Sequence, residues 1–240
     1  MYNEKKQLEI ENMMVVIIQN QFLKSYETNT KLHFPILIEN RLIELTGNLI
    51  NLAKHDAIHY IGAKYYKPAI FASEDKDSEE LWKYIAAYIF FFADEIETKI
   101  ISYSTIHGIS KSDAFNLIGN QMVSGYTRTM ANDIYNQILL KTYNLAGVEN
   151  FQFVAVIDAR TSDICNFMNG KILDSSNIDA YRPPLHPYCR SRVIPIKRED
   201  AYKSDKFSGL PKNMQKTYDW FSSTYSIDIS KFKLTLYNIK

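Results

Sequence analysis

Cysteine and glycine are scarce in this chain. Its 240 residues contain two cysteines, Cys165 and Cys189, and eight glycines, against 17 tyrosines and 13 phenylalanines. Two cysteines in a reducing compartment argue against a structural disulfide, and so few glycines leave wide amphipathic faces with few sharp turns. Long apolar runs are missing too. YIAAYIFFFA, residues 84–93, is far shorter than the roughly 20 residues that span a bilayer. The opening MYNEKKQLEIENMM has no secretory pattern, so the expectation is a soluble protein, intracellular when made. The chain also lacks a P-loop, a GxGxxG, a GxSxG and the HxE with PCxxC pattern of zinc deaminases, which removes the usual signatures of nucleotide binding, serine hydrolysis and base deamination.

Hydrophobic residues make up 46% of the chain, enough to build a core for one large domain or two small ones. Net charge is +1, but it is unevenly placed: residues 181–240 carry 12 Lys/Arg against 5 Asp/Glu, while residues 1–180 carry 16 against 22. A basic end on an acidic body suits contact with phosphates or an acidic protein surface, and it equally suits a solvated lysine-rich tail.

The first half reads as helical. Leu8, Met13, Val16, Ile17 and Phe22 recur at three- and four-residue spacings within 4–29. Pro35 suits the first turn of a second helix running to about Ala63, and Lys67-Pro68 breaks the chain. SEDKDSEE, residues 73–80, reads as an acidic loop ending in Ser78 as N-cap, with Glu79 and Glu80 in the first turn of a third helix that runs to about Ile106 and stops at Gly108. Ser110 and Asp113 have capping-box spacing. The helix they open is expected to reach about Ala146, bent or split near Gly119 or Gly125, and to end at Gly147. The texture then changes: FQFVAVI (151–157), Lys171 to Leu173 and Arg192 to Ile196 read as short strands. A helix over 211–224 and a weak edge strand over 231–237 complete the expectation.

Both cysteines lie in RTSDICNFMNGKILDSSNIDAYRPPLHPYCRSR, residues 160–192. Cys165, His186 and Cys189 offer soft sulfur and imidazole donors, the usual zinc ligands, and the turn HPYC brings two of them together. A fourth ligand would come from Asp158, Asp163 or water. The same residues also suit two buried thiols packing a small β-core, or a Cys-His catalytic pair, although no orienting group or oxyanion hole is evident. His55 and His59 stand i, i+4 in HDAIH, but Asp56 replaces the Glu of the zinc-protease motif and no third ligand follows. They read as ordinary surface or core histidines. Asp158, Arg160 and Thr161 sit where a strand gives way to a turn. Arg160 and Arg190 are expected to tie the loops together through paired charges.

Taken together, AVIDARTSDICNFMNGKI and PPLHPYCRSRVIPI resemble the phage Mu F-like head morphogenesis family of minor head, or minor capsid, proteins. The shared pattern is Asp158, Arg160 and Thr161, then Cys165, then Asn169-Gly170-Lys171, then Pro184, His186, Pro187, Cys189 and Arg190. The preceding helix is similar as well, with Arg128, Thr129, Asn136, Tyr143 and Gly147 in register. The likeness covers about residues 118–196. Many members carry four cysteines that look like a zinc cage; Ser162 and Ser191 occupy two of those places here, and Met130 stands where the helix motif usually has Glu. A four-thiolate site is therefore excluded, and any zinc rests on Cys165, His186 and Cys189. The resemblance implies a non-enzymatic virion component, made in the bacterial cytoplasm and recruited to the procapsid, commonly through the portal. It lies in the capsid interior or at the portal vertex and is compatible with non-specific contact to double-stranded DNA. The alternative is a metal-dependent hydrolase or toxin-like enzyme built on the same three residues. The expected fold is α+β, with long N-terminal helices (1–110), a small antiparallel β-sheet domain carrying the Cys/His turns (111–200) and a basic extension (201–240).

Overall fold

The computed structural model describes residues 4–62, 74–201 and 205–225. It is α+β, with long helices followed by a three-stranded antiparallel sheet. Helices α1 (Glu4–Glu27), α2 (Ile36–Ile61) and α3 (Glu74–His107) precede a short α4 (Lys111–Ala114), a π-helical turn (Phe115–Gly119) and the long α5 (Asn120–Leu145). Strand β1 (Asn150–Val154), α6 (Asp163–Met168), β2 (Ile172–Asp174), α7 (Ile178–Tyr181), β3 (Arg192–Pro195), α8 (Arg198–Ala201) and α9 (Lys212–Tyr225) follow. The expected break at Lys67-Pro68 and the expected strand over 231–237 lie outside the described residues.

Local chemistry sets most boundaries. Pro35 is the N-cap of α2, and Gly108 and Gly147 follow the ends of α3 and α5 at φ 64° and 78°, conformations that favour glycine. The Ser110 hydroxyl accepts the Asp113 amide at 3.0 Å, closing the N-terminus of α4. Helix α3 begins at Glu74 rather than after Ser78. The acidic stretch is thus part of the first turns of the helix rather than a loop before it.

The long helical segment is interrupted where Gly119 stands. The Asn120 amide bonds back to Phe115 O, an i→i−5 closure, and the Phe115 ring packs against Gly119. A Cβ there would meet Phe115 Cδ2 at 2.2 Å, so the bare backbone is what lets the ring fold down. Phe115 then stacks on Phe22 of α1, with centroids 5.8 Å apart.

Helix α5 is the central element, packed by α1, α2, α3 and β3. The apolar core runs without a break from α1 through α5 to β1 and β3. Tyr88 and Phe92 are buried in it, and Phe92 stacks on Tyr126 at 4.2 Å. The α1 stripe differs from the expectation: Ile10, Met14, Ile18 and Phe22 are buried, whereas Leu8, Met13 and Val16 face solvent. The sequence offers two apolar stripes, and the strict i+4 row is the one that meets α5 and α2.

In the sheet, β1 is central, flanked by β2 and β3. Phe151 faces Leu173 on one side and Pro195 on the other, and Phe153 pairs with Val193. Strand β1 stops at Val154, short of the expected Ile157. The Ala155 amide turns away to the Asn169 side chain at 3.0 Å instead of continuing the ladder.

Candidate functional site: a thiol–imidazole knot held by α5

The knot begins with α5. One face of this helix, at i, i+4, i+7 and i+11, presents Gly125, Thr129, Asn132 and Asn136, all buried. Each grips the segment 188–193. The Tyr188 ring lies against Gly125, where a Cβ would come within 2.3 Å of it. Thr129 Oγ1 accepts the Tyr188 amide at 2.9 Å. Asn132 Nδ2 donates to Cys189 O (2.9 Å) and Ser191 O (3.2 Å). Asn136 donates to Ser191 O at 3.1 Å and accepts from the Val193 amide at 3.3 Å. The backbone at the outer side of β3 is thereby satisfied by helix side chains, as buried peptide groups require.

This grip forces a turn. His186 to Cys189 close with a 3.2 Å bond from the Cys189 amide to His186 O, with Pro187 second and Tyr188 third at φ 62°. That is the pattern of a type II turn, whose third position normally takes glycine. Tyr188 occupies it because its ring covers Gly125 and its hydroxyl donates to Gln121 O. The turn sets His186 and Cys189 on one side.

Cys165 arrives from α6. Ser162 is the N-cap of that helix and accepts the Cys165 amide at 3.2 Å. Cys165 Sγ lies 3.1 Å from His186 Nε2 and 3.6 Å from Cys189 Sγ. The donor atoms of the three residues all lie within 4.8 Å of one another. Both thiols are free and buried, with Cys165 3% and Cys189 2% exposed.

The two serines complete the knot. Ser162 Oγ is 2.7 Å from His186 Nε2, and the Ser191 hydroxyl donates to Cys165 Sγ at 3.1 Å. His186 Nδ1 lies 2.7 Å from Pro187 O. A carbonyl only accepts, so Nδ1 carries the proton, and in the neutral ring Nε2 presents its lone pair to the Ser162 hydroxyl and the sulfurs. Hydrogen bonding to Cys189, together with burial, pushes the Cys165 thiol up. Burial alone would raise Cys189, but hydrogen bonds from Cys165, the Leu185 and Ser191 amides and the Ser191 side chain draw it down to about 7. Either thiol can donate across the 3.6 Å that separates them. For His186, burial opposes the charged form, yet Cys165 and the Pro187 carbonyl raise its pKa overall.

Outside the knot, Asp158 is a clamp. Arg190 holds it with two bonds, 2.8 and 2.6 Å. With the Arg160 amide also donating at 2.8 Å, Arg190 holds this carboxyl well below the usual range. Thr161 Oγ1 accepts the Asp158 amide at 2.7 Å and donates to Val156 O at 2.6 Å. The expected joint role of the arginines falls to Arg190, because the Arg160 side chain is 79% exposed and reaches Asp158 only at 3.6 Å. Gly170 closes α6 at φ 83°, its amide bonded to Phe153 O at 2.8 Å. Pro183–Pro184 is a cis peptide, with Pro184 half-buried on the approach to His186. Pro187 is half-buried in the turn itself.

Neither Asp158 nor Asp163 joins the thiols: among the described residues, the His/Cys/Asp/Glu group able to hold a metal comprises Cys165, His186 and Cys189 alone. Asp158 is engaged by Arg190 and Asp163 faces solvent, and serine hydroxyls fill the space beside the sulfurs instead. Arg128 stands apart from the knot and joins α5 to α1, through Asn12 at 2.5 Å and Glu11 at 3.4 Å. His55 and His59 are exposed on α2, whereas Asp56 between them is buried and accepts the Tyr135 hydroxyl.

Sequence reasoning missed Asn132 and the Arg182–Asp133 ion pair between the loop after α7 and α5. The available signal was the i, i+4 pair Asn132/Asn136 inside a helix otherwise rich in apolar residues. Buried amides at that spacing call for backbone partners. No family model, no curated protein and no solved structure matches this chain.

Proposed function

We propose that this chain is a phage minor head protein of the Mu F-like head morphogenesis kind: a non-enzymatic virion component that associates with the portal or procapsid during assembly and contacts packaged DNA through its basic end. The observation that carries the reading is convergence. Thr129 and Asn136 on α5, Asp158, Thr161, Cys165, Gly170, His186, Cys189 and Arg190 are spread over some sixty residues of sequence. These residues, part of the set on which the resemblance rests, converge on the buried knot and its clamp, with Gly170 closing α6 behind Cys165, whereas Arg128 joins α5 to α1 instead. A motif whose members support one another in space is better explained as a folding signature than as coincidence of spacing.

The burial of both sulfurs weighs against an enzyme built on them, because a nucleophile or a catalytic metal needs an open position for substrate. The test is affinity capture with the portal protein of the phage that carries this gene, together with head counts from a phage lacking the gene. Capture and defective heads are expected. Absence of capture together with normal heads would overturn the proposal.

A further inference from the structure

We propose that Cys165, His186 and Cys189 bind one zinc ion in a closed structural site whose fourth donor is the Ser162 hydroxyl. The inference concerns the chain's own chemistry and stands whether or not the head-assembly reading does.

Spacing is the first argument. A tetrahedral zinc with metal–sulfur bonds of about 2.3 Å and a metal–nitrogen bond of about 2.0–2.1 Å has S···S edges of about 3.8 Å and S···N edges of about 3.5 Å. The knot presents 3.6 Å between the sulfurs and 3.1 Å from Cys165 Sγ to His186 Nε2. Both edges are within about half an ångström of those the ion requires, so binding needs only a small opening. A disulfide would need the sulfurs to close to about 2.05 Å, a larger movement in the other direction.

The imidazole is set for the task. Nδ1 is committed to Pro187 O at 2.7 Å, which leaves Nε2, the atom facing the sulfurs, as the metal-binding lone pair. Such an outer hydrogen bond fixes the tautomer and the ring orientation of metal-ligating histidines. Charge balance is the third argument. Two thiolates and a neutral imidazole cancel a divalent cation, so the filled site buries no net charge. Two sulfurs and one nitrogen are the donor set of a borderline-soft ion, not of magnesium or calcium.

Ser162 supplies the closure. Its oxygen lies 2.7 Å from Nε2, on the side to which that lone pair points. It is fixed there as the N-cap of α6, three residues before Cys165. Ser191 instead donates to Cys165 Sγ, the kind of bond that steadies a thiolate ligand from outside the coordination sphere.

The experiment uses the full chain, stripped with chelator under reductant and titrated with Zn²⁺, or with Co²⁺ as the visible probe. One equivalent of Co²⁺ is expected to produce a thiolate charge-transfer band and the intense d–d bands of four-coordinate cobalt, and Zn²⁺ is expected to displace it. Ser162→Ala should weaken binding by roughly tenfold or more and shift the d–d bands. Ser162→Cys should tighten binding and strengthen the charge-transfer band. Ser191→Ala should leave the d–d positions unchanged. Circular dichroism of each stripped variant separates loss of binding from loss of fold. Failure of the stripped, folded protein to take up a stoichiometric ion would overturn the site. So would the mass of a Cys165–Cys189 disulfide in protein purified without oxidant. Unchanged d–d bands in Ser162→Ala would overturn the role of Ser162.

Discussion

Glu11 makes the protein less stable at pH 8 than at pH 5, and replacing it with glutamine removes that loss. Glu11 lies on the buried side of α1, with its side chain 10% exposed. Its partners are Gln7 of the same helix at 3.0 Å and Arg128 of α5 at 3.4 Å. Burial raises its pKa from 4.5 to about 7, and the contacts with Gln7 and Arg128 offset only part of that. The folded state therefore holds this proton more tightly than the unfolded chain does. Between the two pKa values folding takes up a proton, so stability falls as pH rises through that window and levels off above it. A difference of this size corresponds to about 3 kcal/mol, a large share of the 5–15 kcal/mol typical of a domain.

The assay is urea unfolding of wild type and Glu11→Gln at pH 5, 6, 7 and 8. Folding also raises the pKa of His186, through Cys165 and the Pro187 carbonyl, and draws Cys189 down to about 7. Raised His186 contributes stability that is lost as pH rises, and lowered Cys189 contributes stability that is lost as pH falls through about 7. Both are common to the two proteins and cancel in the difference. The advantage of the variant over wild type should grow by about 2–3 kcal/mol between pH 5 and pH 8. Arg128→Met should steepen the wild-type slope, because it removes a charge that favours the carboxylate. Equal slopes for wild type and Glu11→Gln would refute the reasoning.

Asn136→Leu leaves the Val193 amide without its side-chain partner, while Ser191 O keeps Asn132, and should cost about 1–3 kcal/mol by chemical denaturation. Gly125→Ala places a methyl 2.3 Å from the Tyr188 ring and should cost about 1–3 kcal/mol in the same assay, a penalty that Tyr188→Ala in the same chain relieves. The Tyr143 hydroxyl is buried and has no hydrogen-bond partner among the described residues, so Tyr143→Phe should leave the melting temperature unchanged or raise it. If the basic end touches duplex DNA, fluorescence anisotropy should show affinity falling steeply with salt, and neutralising Lys and Arg within 181–240 should flatten that dependence.

The parts of this molecule legible in its sequence are those decided within a few residues. Gly108 and Gly147 end helices, Ser110 opens one, and Gly119 breaks the long helical segment because a residue four positions earlier needs room for its ring. HPYC brings His186 to Cys189 because proline and a tight turn do so in any context. What the sequence did not reveal is decided across the core. Which of two apolar stripes on α1 is buried depends on where α5 lies. Asn132 looks like any polar helix residue until Cys189 O and Ser191 O are placed beside it. The fourth member of the thiol knot escaped because serine is a weak ligand signal, and the two carboxylates that seemed better suited belong to Arg190 and to solvent.

These cross-core contacts also bear on how much of the fold a metal would carry. In a classical zinc finger the ion is nearly the whole core, and the chain unfolds without it. Here segment 188–193 is held independently by Thr129, Asn132 and Asn136, and Arg190 ties it to the Asp158 turn. β3 is paired along β1, and Leu185 and Val193 are fully buried. The knot is thus assembled by contacts that do not involve sulfur. Chelation should lower the melting temperature and loosen the 162–165 and 186–189 turns in hydrogen exchange while leaving α5 and β1 protected. Global unfolding on chelation would mean that the α5 stripe contributes far less than its hydrogen bonds suggest, and that the ion is the keystone of the β-region.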